Sequence, residues 1–351
     1  MDWTSSMQQT FEYYEVDPGT WKDKKKLDTF TACSIERDAE TDTLGSASFE
    51  TTEVMDECYL RVYLVAVQNE ISEKICLGTF LVQSPSDSFD GKKHDISLDG
   101  YTPLIELKEK SPPLGYSISN GENTMEMAYR LTRENLRAPV VASTSSHRLF
   151  SDFVSDVNDD WLTFLRYLIA NAKFSYNLDE VGRVLFTPEQ DTASLTPVWT
   201  YTDDNSSILY PELTVDRDLY SIPNVVEVYY SNNSGYYYAK AVNNDPNSPI
   251  STVSRGRKIV YRESDPDLIG AATQKQIDQY AEQLLRNLSS LEYRITYSHG
   301  YCPVRIGDCV RLNYSRSGLG EVKAKVISQS IKCETGCTVT ETAVFNKRLW
   351  G

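Results

Sequence analysis

The chain of 351 residues has only three histidines and five methionines. It also lacks any apolar run near the roughly 20 residues that a bilayer-spanning helix needs. Its start, Met1-Asp2-Trp3-Thr4-Ser5, carries neither the charge nor the apolar stretch of a signal peptide. Folding in a cytoplasm without membrane anchoring is the expectation. His94, His147 and His299 fall in no His-Glu-x-x-His zinc spacing, and Gly-x-Ser-x-Gly and phosphate-loop patterns are missing. Ser146-His147 and Ser298-His299 are sequence neighbours, which carries no triad geometry. Carboxylates are plentiful, so naming a glycosidase pair such as Asp159 with Glu180 is arbitrary. Asp265-Pro266-Asp267 lacks the glycine and distal glutamate of an EF-hand loop and reads as a turn. No catalytic residue is assigned, and no enzyme is expected.

Positive charge is also short. Lys plus Arg number 35 against 50 Asp plus Glu, giving a net charge of -15. Affinity for phosphates rests on clustered Lys and Arg, so a nucleic-acid binder is disfavoured. The acidity supports solubility, and it also suits a conduit through which DNA slides without sticking.

What is present is strand material. There are 23 tyrosines, and a chain this long suggests two or three domains. Residues 1–112 read as mostly strands. Cys58, Leu60, Val62, Leu64 and Ala66 share one face, with Tyr59, Arg61 and Tyr63 on the other. Further short strands fit 30–35, 75–82, 94–98 and 104–107, as in a barrel or sandwich. Ser111-Pro112-Pro113 closes this region. Residues 113–215 read as a small α+β insertion. Asn123 caps a helix over 124–136, and Asp159 or Asp160 caps another bearing Trp161, Phe164, Leu165, Leu168, Ile169 and Ala172. A hairpin turns at Asp179-Glu180-Val181-Gly182. Residues 216–351 are again strand-rich and contain a helix over 273–290. Thr273 and Gln276 give it a capping box, and Ile277, Tyr280, Ala281, Leu284, Leu285 and Leu288 form its stripe. The expected fold class is α+β, mainly β.

Several segments carry a resemblance: Trp161–Asn171, Asn243–Pro249, Gln279–Arg286 and Gly300–Val310, the last with a Pro303-x-x-x-Gly307-Asp308 step into a strand. Together they resemble the central baseplate hub proteins of contractile phage tails and phage-tail-like bacteriocins, the late-control tail hub family in its Gram-positive form. The resemblance implies two tail-tube-like β-barrel domains, 1–112 and 216–351, with the insertion between them. It implies a homotrimeric ring that adapts the hexameric tail tube to the trimeric central spike and forms part of the tail channel. Tail-tube, spike, baseplate wedge and tape-measure proteins are the implied partners, and DNA is only passing cargo. The place is the virion baseplate, assembled in the host bacterial cytoplasm. Many such hubs carry an appended peptidoglycan-cleaving domain, and the end at Trp350-Gly351 leads us to expect none here. A peptidoglycan-degrading hub hydrolase is the alternative function. Tyr229, Tyr230, Tyr236, Tyr237 and Tyr238 are candidate subunit contacts, since tyrosine is enriched at interfaces. Ordinary two-faced strand packing is the other account of them.

Seven cysteines remain. Cys33, Cys58 and Cys76 read as buried strand thiols. Cys302, Cys309, Cys333 and Cys337 lie close together in sequence. Placing Leu312 opposite Val326 puts Cys302 near Gly336 and Cys309 near Gln329. Three thiols then converge at one sheet end. Four thiolates can hold zinc or an iron–sulfur cluster, although paired C-x-x-C knuckles are missing. A disulfide formed after lysis and inert thiols are the other readings, and no cofactor is otherwise expected.

Overall fold

Period-two alternation dominates the chain, and strands dominate the fold. The computed structural model describes residues 1–89, 91–92, 94–204, 208–232, 235–264, 266 and 273–350. The Asp265-Pro266-Asp267 turn read from the sequence therefore lies outside the described residues but for Pro266. The first half contains β1 (Gln8–Val16), β2 (Asp23–Leu27), β3 (Phe30–Asp38), β4 (Gly45–Thr51), β5 (Cys58–Gln68), β6 (Ile71–Phe89), β7 (His94–Tyr101), α1 (Ile105–Lys108), β8 (Ser117–Ile118), α2 (Thr124–Asn135), β9 (Phe153–Val154) and α3 (Trp161–Asn171). The second contains β10 (Phe174–Leu178), β11 (Val184–Pro188), β12 (Trp199–Thr202), β13 (Leu209–Arg217), β14 (Val225–Asn232), β15 (Gly235–Val242), α4 (Thr252–Arg255), β16 (Val260–Ser264), α5 (Gln274–Leu288), β17 (Ser290–Gly300), β18 (Cys309–Tyr314), β19 (Gly320–Lys332) and β20 (Thr338–Arg348). The chain is mainly β, of α+β class. No described helix is long and apolar enough to cross a membrane.

Compactness groups the residues into two units. One comprises Met1–Leu213 with Tyr297–Ala343, the other Thr214–Thr296 with Val344–Gly351. In the first unit, strands from both ends of the chain share one ladder. It runs β19-β3-β4-β7-β6-β5-β1-β2, with β20, β17 and β13 continuing beyond β19 and β12 joined through β18. Among the described residues this ladder is open, and no closed barrel is formed. The join of β3 to β19 is antiparallel, from Ser328 opposite Asp38 to Lys332 opposite Ser34.

Local chemistry sets the turns. Asn69 and Glu70 both have positive φ (49° and 66°), giving the tight connection between β5 and β6. The Pro303–Asp308 step closes on itself: the Arg305 amide donates to Asp308 Oδ2 at 2.9 Å, and Gly307 supplies φ 89°. Leu104–Leu107, expected as a strand, instead contributes to α1, a single helical turn. Its backbone N–H groups bond three residues back, as Leu107 does to Leu104, and Leu104 and Leu107 are fully buried.

Both faces of β5 are covered. Leu60, Val62 and Leu64 face one core with Phe49, Ile96 and Leu98, and Ala66, next in the same alternation, is also buried. Tyr59 faces another, shared with α2, α3 and the β10–β11 hairpin. The helices thus pack on the sheet itself. In α3, Trp161, Leu162, Phe164, Leu165, Leu168 and Ile169 are buried, and the Asp160 carboxylate accepts from the Thr163 amide at 2.6 Å. Each large side chain so buried is worth roughly 1.5–3 kcal/mol. Tyr59 donates to the buried Glu106, whose other oxygen accepts from the Arg137 amide at 2.9 Å.

The tip of the β10–β11 hairpin docks on the same sheet. Trp21 Nε1 donates to the Val181 carbonyl at 2.6 Å, and Arg61 reaches that carbonyl at 3.1 Å and Thr79 Oγ1 at 2.8 Å. Gly182 at this tip has φ 77°, and a Cβ there would lie 2.9 Å from Thr79 Cβ. Gly182→Ala is therefore expected to cost about 1–3 kcal/mol. Urea unfolding checks this, and an unchanged midpoint would contradict the docking.

The second unit is simpler. Its sheet is β15-β14-β16, antiparallel between β14 and β15 and parallel between β14 and β16. The α5 stripe of Ile277, Ala281 and Leu285 packs on Val226, Val228, Ala239 and Ala241. The Thr273 amide donates to Gln276 Oε1 at 2.8 Å at the helix start.

Candidate functional site

Strand alternation distributes the five tyrosines of the β14–β15 hairpin between two environments. Tyr230 and Tyr237 turn toward α5, with ring centroids 6.3 Å apart, and pack on its core. Tyr229, Tyr236 and Tyr238 stand on the other face, and Tyr229 and Tyr238 lie directly opposite each other with centroids at 5.1 Å. Tyr236 is 93% exposed, Tyr229 46% and Tyr238 44%. Beside them Glu227, with little exposure, bridges Lys240 at 3.1 Å and Arg262 at 3.0 Å. Those cations hold its carboxyl below the usual range. The result is an aromatic face anchored on a rigid sheet, with satisfied charges at its side. Such a face suits recognition of another surface. The sequence placed all five tyrosines together; the structure gives three of them to this face and two to the core.

Of the late cysteines, Cys333 and Cys337 share one core cluster, to which Cys302 and Cys309 do not belong. In the β18–β19 hairpin Leu312 faces Val322 and Cys309 faces Lys325, four residues from the expected register. A 3-10 turn over Ser315–Ser317, followed by Gly318 and Gly320 with φ 76° and 69°, closes the hairpin early. A shift of four preserves which residues face inward, so the apolar pattern is blind to it. Cys302 lies within 3.2 Å of the Tyr201 hydroxyl. Cys333 instead neighbours Cys33, and Cys337 is buried among Tyr301, Ile331 and Val339. Among the described residues, no group of three or more His, Cys, Asp or Glu is placed to hold a metal ion.

A polar cluster not anticipated from the sequence lies at the heart of the first unit. β17 brings Tyr297 and His299, β20 brings Glu341, β19 brings Gln329 and β12 brings Tyr201. Glu341 accepts from Tyr297 at 2.8 Å, from Tyr201 at 3.2 Å and from Gln329 Nε2 at 2.6 Å. His299 Nε2 lies 3.4 Å from Glu341 Oε1 and 3.1 Å from the Tyr201 hydroxyl. Gln329 also donates to the Val304 carbonyl at 2.9 Å and accepts from Arg37 at 2.9 Å. His299 and Glu341 are completely buried. Burial opposes a charge on His299, yet Cys302 and Glu341 beside it raise its pKa to about 10. Burial likewise pushes the Glu341 carboxyl up, but His299 and the donated hydrogen bonds outweigh it and hold it low. The pair is ionised near neutrality.

A cysteine, a histidine and a glutamate in contact can in principle do nucleophilic chemistry. Here His299 and Glu341 have no exposed surface and Cys302 has 2%, so no substrate reaches them. The cluster ties strands together. Its sequence signal was a charge breaking an inward period: Ile295, Tyr297, His299 on one strand and Val339, Glu341, Ala343 on another.

No family model and no curated protein matches the chain. Solved structures do. A tail protein from Neisseria meningitidis MC58 aligns at TM-score 0.64 and 12% identity, covering 97% of this chain and 98% of its own. The 43 kDa tail protein of prophage MuSo2 from Shewanella oneidensis gives 0.62 and 13%, covering 96% and 98%. A chain of the Francisella PdpA–VgrG complex gives 0.59 and 9%, covering 97% of this chain but 58% of that one. At such identities the shared property is the fold. The resemblance read from the sequence holds at that level: this chain has the fold of phage tail proteins over nearly its whole length.

Proposed function

We propose that the chain is a structural hub of a phage or phage-like tail baseplate. It assembles as a homotrimer, joins the hexameric tail tube to the trimeric central spike, and contributes to the tail channel. The observation that carries this reading is the extent of the likeness: 97% of this chain aligns with 98% of a tail protein. In this reading the segments 1–112 and 216–351 each supply a tube-like barrel element around the insertion 113–215, so three chains offer six. A threefold ring then meets a sixfold tube without unpaired sheet edges. The exposed tyrosines Tyr229, Tyr236 and Tyr238 supply subunit or partner contacts. No enzymatic step is assigned; the cysteine–histidine–glutamate cluster is buried and offers no support for a hydrolase.

Native mass measurement of the purified chain, alone and with its tube protein, tests the proposal. A threefold mass, or a complex with tube protein, is the expected result. A chain that stays monomeric at high concentration and ignores tube protein would overturn it. Clearing of purified cell walls by the chain alone would favour the hydrolase.

A further inference from the structure

The join between the two ends of the chain carries a second cysteine relationship, which involves a residue outside the late group. In the antiparallel register of β3 and β19, Lys332 faces Ser34, so the next pair along the ladder is Cys333 with Cys33. The Cys333 amide donates to the Cys33 carbonyl at 2.9 Å, which confirms that the two are directly opposed. Directly opposed residues of an antiparallel pair project to the same face of the sheet, and both thiols lie in the same core. Both are buried to the same degree, at 7% exposure, in the core with Tyr13, Ile35 and Ile331.

We propose that Cys33 and Cys333 form a cross-strand disulfide when the folded protein meets an oxidant. Directly opposed residues of this hydrogen-bonded kind have Cα atoms about 5.5 Å apart, inside the roughly 4.4–6.8 Å that disulfides span. Their Cβ atoms, about 5 Å apart, must close to about 3.8 Å. Cys333 sits just beyond the last residue of β19, Lys332, while Cys33 lies inside β3, so closure moves a strand end and not the middle of the ladder. Cys337 is the competing partner for Cys333. It sits on the turn after Gly336 with φ 37°, outside the ladder that aligns Cys33.

The chemistry is thiol–disulfide exchange with a small-molecule disulfide such as oxidised glutathione. One cysteine thiolate attacks a glutathione sulfur and expels one glutathione thiolate, leaving a mixed disulfide. The second cysteine then attacks the protein sulfur of that bond and expels the other glutathione. Two protein thiols are oxidised, one glutathione disulfide is reduced to two thiols, and two protons pass from the cysteines to the glutathiones. The neighbouring Cys33 thiol, and then burial, raise the Cys333 thiol well above its ordinary range, so the reaction is slow and awaits opening of the strand end. The product is a covalent tie between the N-terminal and C-terminal strands at their point of pairing. It would not form in a reducing cytoplasm and would form after release into oxidising surroundings. The inference does not depend on the hub role.

The test is incubation of the full-length folded protein with oxidised glutathione, alkylation of remaining thiols under denaturing conditions, and peptide mapping without reduction. The expected result is one cross-linked pair of peptides carrying Cys33 and Cys333, with a mass lower by two hydrogens and faster migration on a non-reducing gel. Cys33→Ser and Cys333→Ser should each abolish that species. Alkylation of both cysteines after prolonged oxidation would overturn the proposal. So would a Cys333–Cys337 link, or stable glutathione adducts without a cross-link. Mapping the wild-type chain decides the matter even if a variant fails to fold.

Discussion

Replacing Glu341 with alanine is expected to destabilise the first unit by about 3–5 kcal/mol. The substitution strands a buried, protonated His299 and removes the acceptor of Tyr201, Tyr297 and Gln329 at once. Glu341→Gln keeps the shape and part of the bonding but not the charge, so it is expected to lose less. A cycle with His299→Ala separates the pair from its surroundings: the double variant should lose less than the sum of the two singles. The pH dependence has a definite direction. His299 has its pKa raised from 6.5 to about 10 on folding, so its contribution is complete below about 6.5 and disappears as pH rises through about 10. The lowered pKa of Glu341 gives a contribution present above its unfolded value and lost as pH falls through the folded one. Urea midpoints measured across pH should therefore fall at both alkaline and acid extremes. If His299→Ala follows the wild-type curve on the alkaline limb, the buried ion pair is not what holds these strands.

The second large effect concerns assembly. Alanine at Tyr229, Tyr236 and Tyr238 together is expected to abolish ring formation or partner binding while leaving the monomer folded. Central aromatic anchors of an interface commonly cost about 2 kcal/mol or more each when truncated, so three of them exceed what an assembly can absorb. These side chains are exposed and contribute little to the core of their own unit. Tyr230 and Tyr237 provide the contrast, because they pack against α5. Alanine there should lower thermal stability before it affects association. Native mass and circular dichroism on the two sets of variants read both quantities. Retained assembly in the triple variant would remove this face from the proposed interface, whereas equal destabilisation by both sets would make the tyrosines ordinary packing.

How far the sequence could be read depended on the range of the interaction involved. The α3 stripe and its Asp160 cap, the α5 stripe with its Thr273–Gln276 start, and the turn at Asp179–Gly182 are all local, and each stands in the structure where its residues placed it. Leu104–Leu107 was misassigned because four residues with apolar ends fit a strand and a helical turn equally well. Tertiary burial against α2 and α3 decided it. The β5 alternation was right about one face and silent about the other, since Tyr59 and Arg61 look solvent-facing until the helices and the hairpin cover them.

Sequence alone determined the mainly β character, the three long helices α2, α3 and α5, and most of the strands. Those depend on periodicity, capping and turn residues, which act over a few positions; the likeness to tail proteins was carried by particular segments. Tertiary structure alone decided the β18–β19 register, the placing of Cys302 beside Tyr201, the pairing of Cys33 with Cys333, and the meeting of His299 with Glu341 and Tyr201. Each of those requires knowing which strand lies beside which, across separations of up to 300 residues. An inward-facing position looks the same in sequence whichever neighbour it finally meets, because apolar burial is non-directional and carries no address.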